Sequence, residues 1–325
     1  MDTERPRVFL LDAEELVQTR RALAQGSELL EPADGRLLEE ADAALENGRL
    51  ALELGFAGLC GTVQTLALAY YFSDHEPFAE EAALLLRLAF LDESAGLQAI
   101  PVEVGEVGQR LPLSWLVDAV GLIGASPSWS RDDRQGLEVW ATQYLEWLQH
   151  SAAGQEAGRA RDHLGTWVDL QAAALALFTG REEEARQVLG RRVPVRLANQ
   201  LDVMGRQALE LRHPDALSAC LANLVSLFDL ADLGRHVGVD LWNWQGAGGR
   251  SLQRACSWLV LQGIENKWPH PQDSFFDPAC WLPLLRRAAR RWEDSGLEAR
   301  LRTLPEVDWA ADRTNLLYPP DPPTP

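Results

Sequence analysis

Leucine and alanine recur every three or four residues along almost the whole chain, and this spacing constrains the fold more than any other feature. Apolar residues spaced in this way share one face of an α-helix. No run of alternating apolar and polar residues is long enough to indicate a β-sheet. The sequence therefore predicts an all-α protein, with helices over 12–26, 34–49, 57–72, 76–91, 112–124, 131–150, 165–180, 182–191, 194–210, 216–234, 249–264 and 278–294.

Glycine and proline separate these segments by short connections, as between Gly246 and Gly249 and at Pro269. About a dozen helices joined in this way are typical of antiparallel pairs wound into a toroid or a solenoid. No fixed repeat length appears, and no change in composition marks a linker. We expect one domain over 6–318 and a proline-rich tail over 319–325.

The formal net charge of −18 argues against nucleic acid or an anionic membrane as a partner, because binding to phosphates needs a basic surface. It also counts against a polyanionic substrate. The N-terminus lacks the apolar core of an export signal, and no apolar stretch is long enough to span a membrane, so we expect a cytoplasmic protein. The four cysteines lack CxxC spacing and are interpreted as buried free thiols. No HExxH or other ligand spacing supports a metal at the histidines, and we expect neither a metal nor another cofactor.

Residues 162–171 read Asp-His-Leu-Gly-Thr-Trp-Val-Asp-Leu-Gln. This segment resembles the active-site motif of the alginate lyases and related glucuronan lyases, which usually reads Asn-Asn-His-Gly-Thr-Trp-Tyr-Asp-Val-Gln. Segments resembling other family signatures lie along most of the chain, at 6–11, 65–71, 116–122, 238–242, 249–252, 267–269 and 312–319. The resemblance implies an incomplete (α/α) toroid with a central cleft.

The resemblance also implies β-elimination across a uronic acid, for which this chain lacks the usual reactive residues. Leu164 occupies the position of the motif histidine, His163 is one position early, and Val168 replaces a tyrosine. A later helix that usually carries His and Tyr has Ser218 and Ala219 instead. Two loops that form the walls of the sugar groove in relatives are shortened, and the four tyrosines match no catalytic position.

Residues near these motifs are the candidate functional groups. His163 with Asp162 forms either a base at the head of a cleft helix or an N-cap beside a surface histidine. Trp167 either stacks on a ligand or packs in the core. The remaining candidates are His213 and Asp215 as catalytic groups and Glu210, Arg212, Ser218 and Trp242 as substrate-binding groups. The alternative for the four residues between 210 and 215 is a solvated junction between a helix and a loop. For Ser218 the alternative is a residue that only fills the position of the missing histidine, and for Trp242 it is a structural turn.

Three functions remain open. The first is a repurposed enzyme that acts on a small, amine-bearing metabolite by elimination or by intramolecular ring closure in natural-product biosynthesis. The second is a non-catalytic subunit that completes or stabilises a partner protein. The third is a polyuronate lyase whose catalytic residues have moved.

Overall fold

The computed structural model describes residues 5–48, 50–53, 55–92, 103–265, 267–304 and 307–319. The chain is 71% helical, as the apolar spacing predicts. Within the described residues, isolated β-bridges occur but no strand forms. The α-helices, numbered α1 to α17 in chain order, are Ala13–Ala24, Glu31–Asn47, Leu50–Glu53, Gly55–Ser73, Glu76–Leu86, Val104–Gln109, Leu113–Leu122, Arg131–His150, Ala152–Arg159, His163–Phe178, Glu182–Gln187, Val193–Gln200, Ala216–Arg235, Leu252–Val260, Trp281–Trp292, Ser295–Leu301 and Thr314–Leu317.

Short segments of other helix types extend this set. Three π-helical segments continue α5, α11 and α14, at Arg87–Leu91, Val188–Arg192 and Leu261–Glu265. Three single 3₁₀ turns lie at Glu210–Arg212, Ala247–Gly249 and Pro278–Cys280. Ser130 and Asp277 are N-caps, because Ser130 accepts from the Asp133 N–H and Asp277 accepts from the Ala279 N–H.

The helices group into two compact units. Unit 1 comprises residues 1–155, 174–181 and 310–325, and unit 2 comprises residues 156–173 and 182–309. The expectation of a single domain over 6–318 stays a prediction. Of the proline-rich tail, the part from residue 320 onward lies outside the described residues.

Helix α4 forms the core of unit 1, where it packs against α2, α5 and α7. Its residues are buried on several faces, as expected for a helix that other helices surround. The N-terminal segment is fixed to α7 by Asp118, whose carboxylate accepts the backbone N–H groups of Phe9, Leu10 and Leu11 at 2.6, 3.0 and 2.8 Å. The contact with α7 also requires Gly121, because a Cβ there would lie 1.9 Å from the Arg7 carbonyl oxygen.

Helix α13 has the same central position in unit 2. It is apolar and long enough to cross a membrane, yet 78% of its most apolar stretch is buried within the protein, as in the core helix of a folded domain. Its C-terminal part carries two buried carboxylates, Asp229 and Asp232, which both pair with Arg287 of α15 at 2.7 Å. Arg235 and Arg291 also pair with Asp232, so neighbouring guanidinium groups neutralise both carboxylates.

The helix predicted over 194–210 was wrong in its second half. Helix α12 ends at Gln200, and the chain then turns through Gly205, whose φ of +87° favours glycine. A Cβ at Gly205 would lie 2.5 Å from the carbonyl oxygen of Arg254, so close packing against α14 requires the turn. The helices α6, α9 and α16 were also missed, because each is eight residues or shorter.

The motif residues at the start of α10 have structural roles in unit 2. Asp169 is fully buried and pairs with Arg196 and Arg192, at 2.6 and 2.5 Å. Arg196 of α12 also donates to the carbonyls of Gly158 and Ala160. These hydrogen bonds join α12 to the end of α9 and to the loop between α9 and α10. A Cβ at Gly165 would lie 2.1 Å from the Arg196 guanidinium, so the position requires glycine.

We predict that Asp169→Ala lowers the free energy of unfolding by about 3–5 kcal/mol, because it leaves Arg196 buried without its counter-ion. The measurement is urea denaturation followed by circular dichroism. The control is Glu183→Ala, which breaks an exposed ion pair with Arg186 and is expected to cost at most about 1 kcal/mol. Equal losses in the two variants would contradict the structural role of Asp169.

Candidate active site

The pair formed by His163 and Glu210 is the centre of the candidate site, and both residues belong to unit 2. His163 is the first residue of α10, and Glu210 begins a 3₁₀ turn. One oxygen of Glu210 accepts the backbone N–H of His163 at 2.9 Å, and the other lies 2.8 Å from the imidazole Nδ1. Glu210 therefore binds both an unsatisfied donor of the helix start and the ring of the same residue.

The contact with Glu210 determines the protonation of His163. The Glu210 side chain is 4% exposed and that of His163 is 27% exposed. The hydrogen bond to Glu210 raises the pKa of His163 above its ordinary 6.5, against the opposing effect of burial. In the neutral ring, the hydrogen-bond network assigns the proton to Nδ1, and Nε2 is then the atom able to accept a proton.

A second histidine lies beside the first. The rings of His163 and His213 have centroids 6.3 Å apart and planes at 82°. Nδ1 of His213 accepts the backbone N–H of Asp215 at 3.0 Å, so in the neutral ring its proton is on Nε2. The two imidazoles therefore differ in tautomer, His163 offering an acceptor and His213 a donor.

Trp167 packs against the ring of His163, with the two centroids 4.6 Å apart. One helical turn separates these residues, so the side chains meet on the same face of α10. Trp167 is half-buried, and its indole N–H has no hydrogen-bond partner among the described residues. The ring packs against His163 and part of it stays exposed, so the stacking of Trp167 on a ligand stays a prediction.

A network of side-chain amides supports the loop that precedes α10. Gln200 donates to the carbonyl of Asp162 and to the hydroxyl of Thr166, both at 2.9 Å. Asn223 of α13 donates to the side-chain oxygens of Gln200 and Gln207, at 3.1 and 2.7 Å. These contacts fix the start of α10 and the segment that leads to Glu210 to the same central helix.

The other acidic candidates are held by protein groups. The Asp162 carboxylate accepts the Leu164 N–H at 3.1 Å, so the N-cap interpretation of this residue is confirmed. Asp215 accepts the backbone N–H and the hydroxyl of Ser274, at 2.6 and 3.1 Å. The Ser274 N–H is the main cause that lowers the pKa of Asp215, so this carboxylate is ionised near neutrality. Both groups organise loops next to the two histidines.

Ser218 and Arg212 lie on the margins of this cluster. The hydroxyl of Ser218 accepts a hydrogen bond of 3.0 Å from Gln272, which also contacts Asp215 and the start of α13. Ser218 thus helps to hold the loop of residues 271–274. Arg212 is exposed at the end of the 3₁₀ turn that carries Glu210, and it lies next to His213 in sequence.

Trp242 lies in the core of unit 2, whereas the sequence analysis assigned it to substrate binding, with a structural turn as the alternative. It is 6% exposed, and its ring packs against Phe228 and Trp292. The indole N–H donates to Asp232 at 3.0 Å, which connects it to the buried charges of α13. An aromatic ring held in this way on all sides stabilises the core instead of binding a ligand.

Cysteines and metal ligands do not add to the site. Cys60, Cys220 and Cys256 are buried free thiols, and Cys280 is an exposed one, so the prediction that all four are buried was wrong for Cys280. No group of three His, Cys, Asp or Glu side chains suited to a metal ion occurs in the part of the chain that the structure describes.

The sequence analysis missed the direct contact between His163 and Glu210, and it missed the amides that support them. It assigned Glu210 to substrate binding, whereas both Glu210 oxygens bind His163. The amide of Asn223 was overlooked, although an asparagine in a largely apolar stretch of helix signals a buried hydrogen-bond network.

Comparison with known proteins places the chain in a family. The family model described as alginate lyase matches residues 34–268. The crystal structure of an alginate lyase from Bacteroides ovatus has a TM-score of 0.85 at 24% identity, covering 96% of this chain and 99% of that chain.

Two structures of alginate lyase A1-III variants complexed with tetrasaccharide are also similar. One has a TM-score of 0.69 at 18% identity, covering 99% of this chain and 97% of that one. The other has a TM-score of 0.58 at 15% identity, covering 82% of this chain and 78% of that one. No curated protein sequence matches the chain. These likenesses confirm the predicted fold class, the (α/α) toroid of the alginate lyases. With the family model matching well over half of its length, the chain belongs to the alginate lyase family.

Proposed function

We propose that the protein is a lyase that eliminates a group β to a carboxylate or carbonyl, with His163 as the group that accepts the proton from carbon. The observation that carries this proposal is the 2.8 Å contact between Glu210 and Nδ1 of His163, which leaves Nε2 available as a base. Glu210 is then a positioning residue. It orients the ring and stabilises the imidazolium that forms when the proton is taken.

The reaction can be written with the groups present in unit 2. Nε2 of His163 takes the proton from the carbon next to the substrate carboxylate or carbonyl. The electron pair of that C–H bond forms a carbon–carbon double bond, and the bond from the β-carbon to its oxygen or nitrogen substituent breaks. The imidazolium then returns the proton to the departing atom, which restores neutral His163.

His213 supplies the hydrogen-bond donor that this reaction needs. Negative charge develops on the substrate carboxylate or carbonyl oxygen as the proton leaves, and a donor at that oxygen stabilises the charge. The Nε2–H of neutral His213 is suited to this role, because its Nδ1 is occupied by the Asp215 N–H. The exposed guanidinium of Arg212, the preceding residue, adds positive charge nearby.

The substrate class that we propose first is a small metabolite bearing an amine as well as the carboxylate or carbonyl, handled in a biosynthetic reaction. The carboxylate of Asp162, which accepts the Leu164 N–H through one of its two oxygens, favours an ammonium group in the substrate. The two loops that border the sugar groove in relatives are shortened in this sequence. A smaller substrate fits that change.

A polyuronate is the second candidate substrate. The observation that favours it is the similarity to alginate lyase A1-III, two structures of which are complexed with tetrasaccharide. Unit 2 contains no tyrosine, since the four tyrosines of the chain all belong to unit 1. A polyuronate reaction in unit 2 would therefore also depend on His163 as its base.

We predict that His163→Ala lowers kcat by about 10²- to 10⁴-fold, the usual contribution of a general base. The measurement is the ultraviolet absorbance of the new conjugated double bond, with polyuronates in one arm and small β-substituted amino acids in the other. The control is His150→Ala, a substitution on the exposed end of α8 in unit 1, which is expected to leave kcat unchanged.

The two arms of this assay separate the candidate substrates. Turnover of polyuronate chains would reject the small amine-bearing substrate, and turnover of small compounds alone would reject the polyuronate. Full activity of His163→Ala on either class would reject His163 as the base. Absence of turnover in both arms, with a partner protein that copurifies, would favour a non-catalytic subunit instead.

We predict that Glu210→Gln lowers the pKa of His163, because it removes the negative charge that stabilises the imidazolium. The measurement is an NMR titration of ¹⁵N-labelled histidine, with the His163 signal identified by its loss in His163→Ala. Since a base is active when deprotonated, the acidic limb of kcat/KM is expected at the raised pKa of His163. That limb should move to lower pH in Glu210→Gln, and an unchanged titration would contradict the assigned role of Glu210.

A further inference from the structure

A second site candidate lies within unit 1, whereas the residues that carry the proposed function belong to unit 2. It is a cavity of about 570 Å³, a volume typical of pockets for small organic ligands. Among the described residues that line it are four arginines, Arg5, Arg7, Arg20 and Arg134, and a single carboxylate, that of Asp74. In a chain with a formal net charge of −18, this local excess of positive charge is notable.

Ion pairs reduce the positive charge of three of these arginines. Arg20 pairs with Asp74, and Arg5 pairs with Glu14. Arg7 lies 3.5 Å from Glu138. The charge that remains in the cavity therefore depends on the fourth arginine.

Arg134 is held by a backbone oxygen and not by a carboxylate. Its guanidinium donates to the carbonyl of Gly124 at 3.2 Å, and it pairs with no acidic side chain among the described residues. A carbonyl orients the guanidinium without neutralising it, so Arg134 carries an uncompensated charge at the cavity wall. The side chain is half-buried, which reduces screening by solvent.

The hydroxyl of Tyr71 is a second polar group without a partner. Tyr71 lines the cavity and is 4% exposed, and its hydroxyl makes no hydrogen bond with any described residue. Arg20 lies over its ring, with the guanidinium carbon 5.3 Å from the centroid. Burial raises the pKa of Tyr71, so the phenol stays protonated and can donate. A buried hydroxyl without a partner costs free energy that a hydrogen-bond acceptor in the cavity would recover.

The rest of the wall is apolar. Val117 and Val120 of α7 and Phe178 at the end of α10 contribute buried side chains to the lining. Arg7 braces this side, because its guanidinium donates to the Phe178 carbonyl at 2.9 Å. A ligand for this cavity therefore needs an anionic group and an apolar body.

We propose that this cavity binds a small organic oxyanion, a carboxylate or a phosphate monoester attached to an apolar or aromatic group. Arg134 and Arg20 bind the oxyanion, and the Tyr71 hydroxyl donates a hydrogen bond to it. Val117, Val120 and Phe178 pack against the apolar part. The site is separate from His163 and Glu210, so its existence does not depend on the lyase proposal.

Isothermal titration calorimetry on the full chain tests this proposal, with benzoate and phenyl phosphate as probes and benzylamine as the cationic counterpart. We expect benzoate or phenyl phosphate to bind and benzylamine not to bind. Inorganic phosphate is expected to bind at least about tenfold more weakly than phenyl phosphate, because it lacks the apolar body. Comparing the two organic probes distinguishes a carboxylate ligand from a phosphate one.

Variants then locate the site. Arg134→Gln is expected to weaken binding by about tenfold or more, and Tyr71→Phe by about threefold or more. Arg134→Lys should recover part of the affinity by restoring the charge. Arg131→Gln is the matched control, since it removes an exposed arginine one turn away on α8, and it should bind as the parent does.

The outcomes are distinct. Failure of both organic anions to bind at millimolar concentration would overturn the proposal, as would binding that persists undiminished in both Arg134→Gln and Tyr71→Phe. Should Arg134→Gln fail to fold, Tyr71→Phe alone decides the case. Binding lost in His163→Ala but kept in Tyr71→Phe would assign the anion to the candidate active site and reject this cavity.

Discussion

A buried carboxylate needs hydrogen-bond donors, and the donors that Glu210 finds are the backbone N–H and the ring of His163, on which the proposed chemistry of unit 2 depends. Leaving an ionised group of this kind unpaired in the interior costs several kcal/mol. Glu210 avoids that cost by binding the backbone N–H and the ring of His163 with its two oxygens. Because both oxygens are occupied, Glu210 is a poor binding group for a substrate ammonium. The same hydrogen bonds orient His163, so one contact meets a structural requirement and provides the proposed catalytic arrangement.

Residues that match a catalytic motif can be required for the fold instead of the reaction. Gly165 allows Arg196 to approach α10, Asp169 neutralises that arginine, and Thr166 binds Gln200. All three would be needed for packing even if the protein had no activity. The proposed elimination depends on a neighbouring residue, His163, whose ring contacts Glu210, 47 residues further along the chain. The resemblance at Gly165, Thr166 and Asp169 therefore agrees with the family and leaves the reaction open.

The fold was largely predictable because helix periodicity is a local property. Apolar spacing identified most of the longer helices from the sequence alone. The failure at 201–210 has a non-local cause, since the turn at Gly205 is required by the approach of Arg254. The contact between His163 and Glu210 is of the same kind. Forty-seven residues separate the two, and no local pattern indicates which acidic residue will reach the histidine.

Trp242 illustrates a different error, in which a core residue was assigned to substrate binding. Tryptophan near an expected groove suggests ligand stacking, but the buried charges of Asp229, Asp232 and Arg287 need a shield from solvent and a further donor. Trp242 provides both through its ring and its N–H. The position of Trp242 follows from the buried charges of the core, which cannot be recognised from the residues next to Trp242 in sequence.

Average charge is also a weak guide to which ligands a protein can bind. The net charge of −18 led to the expectation that anionic partners are disfavoured, and this reasoning treats the surface as uniform. Screening limits the reach of exposed charges to roughly 10 Å, so a cavity responds mainly to the side chains in its own wall. In unit 1 that wall contains four arginines, and one of them has no acidic partner among the described residues. The field inside the cavity is therefore set by how arginines are paired locally, by carboxylates or by backbone carbonyls, and not by the charge balance of the chain.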